Sequence, residues 1–400
     1  MHKIELLAPA GDLHRLKTAI KFGADAVYIG GKRFSLRSRA SNFDLETIEE
    51  AVTFAHEYGS KVFVTVNMIP HEEDLEGLDE YLIALNKIGV DAIIVASVAI
   101  MKRAKALTSG MEVHISTQYS ITNSATIDFY KQNGADRVVL ARENSIEELG
   151  ALMEKTSLPI EVFIHGGMCV NYSGRCTLSN YMTLRDANRG GCAQSCRWKY
   201  EIIDNDQVVS DEKTLFSMSS KDLNAIDVLP ELIDLGVASL KIEGRMKTEY
   251  YIATIVSAYR RAIDAIANHE EVNQVLLRAK AELKYAENRE TFSGFYQQQP
   301  TVFGHLYGIN GAVVNQNFIG TVLDYDESTQ LATIQVRNQF NEEEQIEVFG
   351  PKTTPIPFYP SMMKDSEGNE TKRFYKPMEI VTLHIPYTVE KDDFIRKLFV

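Results

Sequence analysis

The stretch Phe22-Gly-Ala-Asp-Ala-Val-Tyr-Ile-Gly30 decides the fold, because the same short pattern recurs three more times along the chain. The other copies begin at Ile88, Asn133 and Leu235, and each places a glycine before a run of apolar, often β-branched residues. Such a glycine supplies the left-handed conformation that ends a helix, and the apolar run is typical of a strand buried on both faces of a parallel sheet. Each copy therefore predicts a helix followed by a buried strand.

This pattern, together with similar apolar runs, predicts eight strands that alternate with helical segments. Eight such units match a (β/α)8 barrel of the TIM type better than an open doubly wound sheet, so we predict an α/β barrel domain over residues 1–290. The strands are expected near residues 4–8, 26–30, 61–67, 92–96, 112–117, 137–142, 160–165 and 239–243.

The interval between the seventh and eighth strands departs from this alternation. A long insertion replaces the usual helix there, and its part at about residues 166–220 holds every cysteine of the chain. In TIM barrels the catalytic residues lie at the C-terminal ends of the strands. We therefore expect the insertion to cap the mouth of an active site.

The pattern changes again after residue 290. Short β segments with many prolines and aromatic residues follow, at 319–323, 331–336 and 380–384. They predict a small β-barrel-like domain over residues 300–400. Its Phe and Tyr side chains are able to stack on bases, although aromatic residues in a small β domain more often form the core.

The four cysteines have the spacing C-x6-C-x15-C-x3-C, and we predict that they bind a metal centre. Soft thiolates suit an iron-sulfur cluster or a structural zinc. Zinc sites of four cysteines usually consist of two C-x2-C pairs, which this chain lacks, so a cluster is favoured and zinc stays the alternative. A radical-SAM enzyme is excluded, because its C-x3-C-x2-C motif needs a third cysteine that is missing here. The ligands are Cys169, Cys176, Cys192 and Cys196.

The charge and the N-terminal segment limit the classes of protein. A formal net charge of −13 argues against a protein that coats nucleic acid by bulk electrostatics. No apolar run approaches the length of a membrane span, and the first residues do not resemble a signal peptide. We therefore expect a cytoplasmic protein without disulfides and without a membrane partner.

Two basic clusters leave a local contact with RNA open. The first contains Lys32, Arg33, Arg37 and Arg39, and the second contains Arg175, Arg185, Arg189 and Arg197. Solvated loops offset by nearby acids are the simpler interpretation of such clusters. The residues predicted to contact RNA are Arg37, Arg39 and Arg189.

Polar side chains follow several of the predicted strands. Each is either satisfied at the barrel rim or exposed to a ligand pocket. Convergence of Arg142, Lys241 and Arg245 would favour a ligand with carboxylate or phosphate groups, because guanidinium groups bind such anions with two hydrogen bonds. His165, four residues before Cys169, is placed for proton transfer. The predicted substrate-binding residues are Asn67, Gln118, Arg142, Lys241 and Arg245, and the predicted catalytic residues are His165 and Glu243.

The stretch Glu161-Val-Phe-Ile-His-Gly-Gly-Met-Cys-Val-Asn-Tyr-Ser-Gly-Arg-Cys-Thr-Leu-Ser179 closely resembles the signature of the collagenase-like peptidase family U32. Gly167 departs from it, because the motif usually carries Ser or Ala there, which affects only local loop packing. The resemblance covers at least residues 4–265. Further matching stretches are residues 5–11, 115–118, 137–143, 188–197 and 240–245.

The resemblance implies a function that composition and spacing do not reach. The family includes iron-sulfur proteins that hydroxylate tRNA, ribosomal RNA or quinone precursors without molecular oxygen. A chain of this length with a C-terminal β domain resembles the branch that converts the wobble uridine of tRNA to 5-hydroxyuridine, with prephenate as the implied oxygen source. It implies a 4Fe-4S cluster on the four cysteines, and tRNA and prephenate as substrates.

Two other functions stay open. The family name implies a peptidase, although His71-Glu72-Glu73-Asp74 is not H-E-x-x-H and no G-x-S-x-G occurs. The chain is alternatively a tRNA-binding subunit that supports a catalytic paralogue, since family members occur as pairs. A paralogous subunit or a homo-oligomer is therefore an expected partner.

Overall fold

A computed structural model describes residues 4–36, 43–211, 215–286, 288–306 and 317–398 of the 400-residue chain. The chain separates into two compact units. The first contains residues 1–281 and 288–312, and the second contains residues 282–287 and 313–400.

The first unit is an α/β barrel with an insertion. Its described strands and helices are, in chain order, β1 (Glu5–Pro9), α1 (Leu13–Lys21), β2 (Ala26–Gly30), α2 (Leu45–Glu57), β3 (Lys61–Val66), α3 (Leu78–Ile88), β4 (Ala92–Val95), α4 (Val98–Leu107), β5 (Glu112–Ile115), α5 (Ser124–Gln132), β6 (Arg137–Val139), α6 (Ile146–Met153), β7 (Ile160–Gly166), α7 (Leu178–Thr183), β8 (Ile203–Asp204), β9 (Gln207–Val208), β10 (Asp222–Asn224), α8 (Leu229–Asp234), β11 (Ser239–Ile242), α9 (Glu249–Ala267), α10 (Val272–Lys284) and β12 (Thr291–Phe292). The last three residues of α10 belong to the second unit.

Eight parallel strands close this sheet into a barrel. Strands β1 to β7 pair in chain order, and β11 pairs with both β1 and β7. The pairing of β11 with β7 shifts register between Lys241 and Ile242, so that Lys241 lies opposite Phe163 and Ile242 opposite His165. The predicted (β/α)8 barrel, with its insertion between the seventh and eighth barrel strands, is confirmed.

Each copy of the repeated pattern forms the end of a helix and the strand after it, as its residues predict. Its glycines, Gly23, Gly89, Gly134 and Gly236, all have positive φ, between 76° and 108°, and each stands between a helix and the next barrel strand. Most of the barrel helices also begin at a side chain that accepts a hydrogen bond from a backbone N–H of the first turn. These N-caps are Asp12, Asp44, Ser97, Asn123, Ser145 and Thr248.

The insertion begins after β7, and its strand β10 pairs with the end of β7. Strand β10 pairs antiparallel with the end of β7, with Leu223 opposite Gly166 and Asn224 opposite His165. Between these two strands lie α7, several single 3-10 turns and the small hairpin β8–β9. The cysteine-bearing chain is thereby held at the C-terminal end of the barrel strands.

The second unit is an antiparallel β structure. Its six-stranded sheet has the order β16 (Ile346–Phe349), β20 (Phe394–Lys397), β13 (Phe318–Asp326), β14 (Leu331–Val336), β19 (Ile380–His384) and β17 (Ser361–Lys364). In a separate pair, β15 (Phe340–Asn341) is joined to β18 (Arg373–Phe374). Phe340, Phe358 and Phe374 pack in its core, whereas Tyr359 and Tyr375 are exposed. The predicted small β domain is confirmed.

Membrane crossing has no support from the described helices. None of those in the described ranges combines the length and the apolar character that a bilayer span requires.

Candidate active site at the barrel mouth

The segment of residues 167–199, here called the cysteine segment, starts directly where β7 ends. Gly166 has a φ of 107°, and a side chain there would collide with the backbone carbonyl of Glu243. The backbone N–H of Glu243 in turn donates to the carbonyl of His165 at 2.8 Å. The first cysteine therefore follows a tight crossing of the ends of β7 and β11.

Glu143 anchors the first turn of the cysteine segment to the end of β6. Its carboxylate accepts the backbone N–H of Ser173 at 2.8 Å and also the Ser173 hydroxyl. Ser173 is buried and has a φ of 45°, a left-handed conformation that a serine adopts only at a cost. Glu143 therefore stabilises the turn between Cys169 and Cys176.

Asn188 fixes the second cysteine. Its Oδ1 accepts the Cys176 N–H at 3.3 Å, and its Nδ2 donates to the Cys176 carbonyl at 3.0 Å. The carbonyl of Asn188 accepts the backbone N–H of Ile69, in the loop after β3, at 3.0 Å. The backbone of Cys176 is thus tied to the barrel mouth through one side chain.

Two arginines of the cysteine segment bind to other residues of the same chain. The guanidinium of Arg189 lies 2.9 Å from Glu73 and 2.8 Å from Asp74, and it lowers the pKa of Asp74. Arg197 donates to Ser219 Oγ at 2.9 Å and to the carbonyl of Met168 at 2.6 Å. Both arginines therefore hold the segment in place, and the predicted contact of Arg189 with RNA stays a prediction.

The four thiols are near enough to influence one another electrostatically. Burial raises the pKa of Cys196, Arg197 opposes that rise, and the other three cysteines each add to it. Within the described ranges, no three His, Cys, Asp or Glu side chains are arranged to hold a single metal ion. Four thiolate donors suit an iron-sulfur cluster or a tetrahedral zinc ion.

Below the mouth, the barrel interior contains a buried ionic network. Glu161 Oε1 lies 2.7 Å from Lys241 Nζ, and Glu161 Oε2 lies 3.3 Å from Arg137, which also pairs with Glu5 at 2.5 Å. Burial alone would raise the pKa of Glu161, but Lys241, Arg137 and His114 outweigh it and the pKa falls. Glu161 is therefore a buried carboxylate anion.

Arg142 and Lys241 meet at one aromatic ring. The Arg142 guanidinium lies 3.9 Å from the centre of the Phe163 ring, and Lys241 Nζ lies 5.4 Å from it. Burial lowers the pKa of Lys241, and its partner Glu161 opposes that fall. Two of the three cations predicted to bind an anion are thus brought together, with Lys241 already paired to Glu161.

The third cation, Arg245, lies on the side of β2 and β3. It is buried and donates to Thr65 Oγ1 at 3.0 Å and to Ser35 Oγ at 3.2 Å. Asn67, after β3, accepts the backbone N–H of Leu36 at 3.1 Å. These two predicted ligand-binding residues therefore also hold the loop that follows β2.

Gln118 has the most distinctive environment at the mouth. It is 3% exposed, and its Nε2 has no hydrogen-bond partner in the described structure. Its Oε1 accepts from Ser116 Oγ at 3.3 Å, while Arg175 donates to its backbone carbonyl. A buried N–H donor without an acceptor is costly unless a ligand satisfies it. Gln118 is thus a candidate donor to a substrate oxygen.

His165 faces helix α9. Its ring lies against Tyr251 and Tyr259, and its Nδ1 is 3.3 Å from the Tyr259 hydroxyl. Burial, with a smaller contribution from Lys247, lowers the pKa of His165 to about 3. The imidazole is therefore neutral at physiological pH. Its predicted role in proton transfer stays a prediction.

Glu243 and a second carboxylate, Asp222, both lie near Gly167, at the start of the cysteine segment. A Cβ at Gly167 would stand 3.5 Å from Glu243 Oε2 and 3.9 Å from Asp222 Oδ1. Asp222 Oδ1 is buried without a hydrogen bond, and the nearest cations to the Asp222 carboxylate are Arg289 at 3.9 Å and Lys247 at 4.0 Å. The two carboxylates flank the backbone that leads to Cys169.

Several residues of the site were not identified from the sequence. Glu143 follows Arg142 at a strand end, so its position was a usable signal. Glu161 is 80 residues from Lys241 in the chain, and nothing local indicates that the two side chains meet. The same holds for Asp222. Arg37 and Arg39, which we predicted as RNA contacts, lie outside the described residues.

Comparisons with known proteins agree with the family resemblance. The model of peptidase family U32 matches residues 11–304, and the model of the U32 C-terminal domain matches residues 314–396. These two matches cover most of the chain.

Three relatives illustrate the range of the family. The tRNA hydroxylation protein P1 of Bacillus subtilis (strain 168) is 43% identical over 99% of this chain and 95% of its own length. A 23S rRNA 5-hydroxycytidine synthase of Escherichia coli (strain K12) is 45% identical over 66% of this chain and 40% of its own length. A collagenase of Porphyromonas gingivalis is 33% identical over 89% of both chains. The chain belongs to peptidase family U32.

Proposed function

We propose that this protein hydroxylates the wobble uridine of tRNA to 5-hydroxyuridine without molecular oxygen, with prephenate as co-substrate. The observation that carries the proposal is the cysteine segment, whose four neighbouring thiols are tied to the mouth of a barrel that holds buried cations. The 43% identity to a tRNA hydroxylation protein supports the choice of substrate. We place the reaction in the cytoplasm, where tRNA and reduced thiols coexist.

A 4Fe-4S cluster is the proposed cofactor, with zinc as the alternative. When bound, it supplies an iron that polarises an oxygen or exchanges electrons at the mouth of the barrel. Glu143 orients the turn before Cys176, and Asn188 orients the backbone of Cys176 itself. Arg197 does so at Met168, next to Cys169. The ligands are Cys169, Cys176, Cys192 and Cys196.

The barrel mouth is suited to a dicarboxylate such as prephenate. Arg245 offers a buried guanidinium beside two hydroxyl groups, and Gln118 offers a buried N–H without an acceptor. Arg142 adds a second guanidinium over Phe163. Each carboxylate would accept hydrogen bonds that are stronger than those between neutral groups. We propose Arg142, Arg245 and Gln118 as the direct contacts, and Lys241 as a buried positive charge below them.

The chemistry sets two requirements for the side chains. Replacing C5–H of uracil by C5–OH is a two-electron oxidation, so the donor that gives up its hydroxyl oxygen must leave reduced by two electrons. The proton lost from C5 needs an acceptor, and Glu243 Oε2, at the start of the cysteine segment, is the proposed one. His165 is neutral and held by Tyr259, which favours an orienting role at the end of β7.

Nucleoside mass spectrometry of bulk tRNA tests the proposal. A strain that lacks the gene, grown without oxygen, is complemented with the intact gene or with a Cys176→Ala copy. We expect 5-hydroxyuridine and its derivatives to disappear and to return only with the intact gene. Unchanged tRNA in a strain without paralogues would contradict the proposal.

The relationship to a collagenase keeps a peptidase as the second candidate. Gelatin cleavage by the same metal-loaded protein, abolished by one nucleophile substitution, would support it. A third candidate is a tRNA-binding subunit of a paralogous enzyme or of a homo-oligomer. It would be favoured if the loaded protein left tRNA unchanged alone but restored activity to a second protein.

A further inference from the structure

Apolar and aromatic side chains are exposed along the outer face of the cysteine segment. Tyr181 is 83% exposed and Leu184 is 94% exposed. Several exposed large apolar side chains in one short segment favour a binding site, whereas exposed apolar residues that are scattered singly need no such explanation. We call this set the aromatic face, and its members are Tyr172, Tyr181, Met182, Leu184 and Trp198.

Helix α7 turns this face outward. Ser179 is buried, and its hydroxyl donates to the Gly191 carbonyl at 3.2 Å and accepts the Ala193 N–H at 2.9 Å. Tyr181 follows two residues later, about 200° round the helix, and so points away from that contact. The inner side of α7 therefore covers the chain that carries Cys192, while its outer side presents Tyr181.

The backbone at Leu184 is held in an unusual conformation. Leu184 has a φ of 56°, and this left-handed conformation costs a leucine about 1 kcal/mol or more. Its backbone N–H donates to the Asn180 carbonyl at 2.9 Å, which ends α7. The left-handed conformation closes α7, and the Leu184 side chain, which is 94% exposed, contributes nothing to the core.

The charge of the cysteine segment is opposite to that of the chain. It carries five Lys or Arg side chains and one Asp, a formal net charge of +4, in a chain of −13. Arg175, Arg189 and Arg197 form hydrogen bonds within the chain, with Arg175 donating to the Gln118 carbonyl. Lys199 is exposed, and Arg185 lies 3.4 Å from the carbonyl of Cys192. These two cations are neighbours of the aromatic face in the chain, because Arg185 follows Leu184 and Lys199 follows Trp198.

We propose that the aromatic face binds unpaired nucleotides of the substrate RNA, with bases stacked on Tyr181 and Trp198 and phosphates near Arg185 and Lys199. The inference rests on the proposed function, and it names the surface on which the RNA lies. Flat rings beside cations are the usual means of binding single-stranded RNA, because any base stacks on a ring and any phosphate attracts a cation. A protein partner would instead favour a face with few charges at its centre.

Fluorescence anisotropy with two labelled RNAs tests the inference. The metal-loaded full chain is titrated, without oxygen, with a stem-loop that has an unpaired loop and with a fully paired duplex of the same stem. We expect Tyr181→Ala or Trp198→Ala to weaken binding of the stem-loop about 5-fold or more, and Tyr181→Phe to preserve it. Arg185→Gln should lower the slope of log affinity against log salt concentration by about one, and it should do so for both RNAs.

Tyr58→Ala is the matched control, because Tyr58 is also exposed but lies between α2 and β3, at the opposite end of the barrel. Its affinity for both RNAs should equal that of the wild type. Iron content equal to the wild type shows that each variant keeps its cysteine segment folded.

Three outcomes separate this inference from the proposed function. Selective weakening on the stem-loop supports the aromatic face. Unchanged affinity of the Tyr181→Ala and Trp198→Ala variants, with a wild type that hydroxylates tRNA, overturns the aromatic face alone. A wild type that binds no RNA, but binds a protein partner through Tyr181, overturns both.

Discussion

The N-terminal end of the barrel interior and its C-terminal mouth both bury polar side chains, but the partners of these side chains differ. At the N-terminal end, Glu161 pairs with Lys241 and Arg137, so buried charges neutralise one another. At the mouth, Gln118 Nε2 and Asp222 Oδ1 are buried without a hydrogen bond. Arg137 Nε, in the first set, is also buried without a hydrogen bond, so the contrast lies in the ion pairs. The charges of the first set lie within 3.3 Å of one another, whereas the cations nearest to Asp222 are 3.9 and 4.0 Å away. We infer that the first set maintains the fold and that the second set is arranged for a ligand.

Glu161, Lys241 and Arg137 are here called the paired set, and breaking their ion pairs should cause the largest loss of stability. Glu161→Gln keeps the volume but leaves Lys241 and Arg137 without their buried anion, so we expect a loss of about 3–5 kcal/mol. Urea unfolding followed by circular dichroism measures it. Glu50→Gln, which removes an exposed pair with Lys17, is the control and should change stability by less than about 1 kcal/mol. A loss of less than 1 kcal/mol for Glu161→Gln would contradict the structural role.

The pH dependence of stability tests the environment of His165. Its pKa is about 3 in the folded chain, against 6.5 for the free side chain. Below pH 6.5 the unfolded chain binds a proton that the folded chain does not, so this group lowers stability as the pH falls from 6.5 towards 3. The slope is about 1.4 kcal/mol per pH unit for one such group.

Unfolding titrations of the wild type and of His165→Asn between pH 7 and pH 5 measure this slope. The variant should lose it, because asparagine does not titrate. Equal slopes in the two proteins would mean that the His165 ring is accessible to water and able to exchange protons at the mouth.

At the mouth, the same kind of change should affect binding and leave the fold intact. Gln118→Met removes a buried donor that has no partner, but it also removes the Oε1 atom that accepts from the Ser116 hydroxyl. The two effects oppose each other, so we expect stability to change by less than about 2 kcal/mol. The affinity for prephenate should fall about 10-fold or more, since a hydrogen bond to a carboxylate is lost. Calorimetric titration of the loaded protein measures it. Gln118→Met with lower stability and unchanged affinity would assign this residue to the paired set.

The smallest effect is expected at Gly167. A Cβ there would make ordinary contacts, 3.5 Å from Glu243 Oε2 and 3.9 Å from Asp222 Oδ1. Gly167→Ala should therefore leave stability unchanged or raise it by up to about 1 kcal/mol, because alanine restricts the unfolded chain. Thermal unfolding checks this, and a clear loss of stability would show that the two carboxylates need the open space.

The barrel was predictable because its signals are local. A glycine that ends a helix and the strand after it lie within nine residues, as in Phe22–Gly30, and the four cysteines lie within one segment. The small β domain was equally visible, because its strands at 331–336 and 380–384 alternate buried and less buried residues.

The site was less predictable because its contacts are distant in the chain. Lys241 was correctly placed on the last barrel strand, but its partner Glu161 comes from a strand 80 residues away. The register shift between Lys241 and Ile242 pairs His165 with Ile242, and the His165 ring packs on α9. No local pattern encodes a register shift or the partner of a buried charge.

The most direct test of the account is a single reaction of the loaded protein with tRNA, without oxygen, and with prephenate that carries oxygen-18 in its hydroxyl group. Mass spectrometry of the digested tRNA measures the label in 5-hydroxyuridine. The account predicts labelled product with the wild type and none with Cys176→Ala. Product without the label, or equal product from the Cys176→Ala protein, would contradict it.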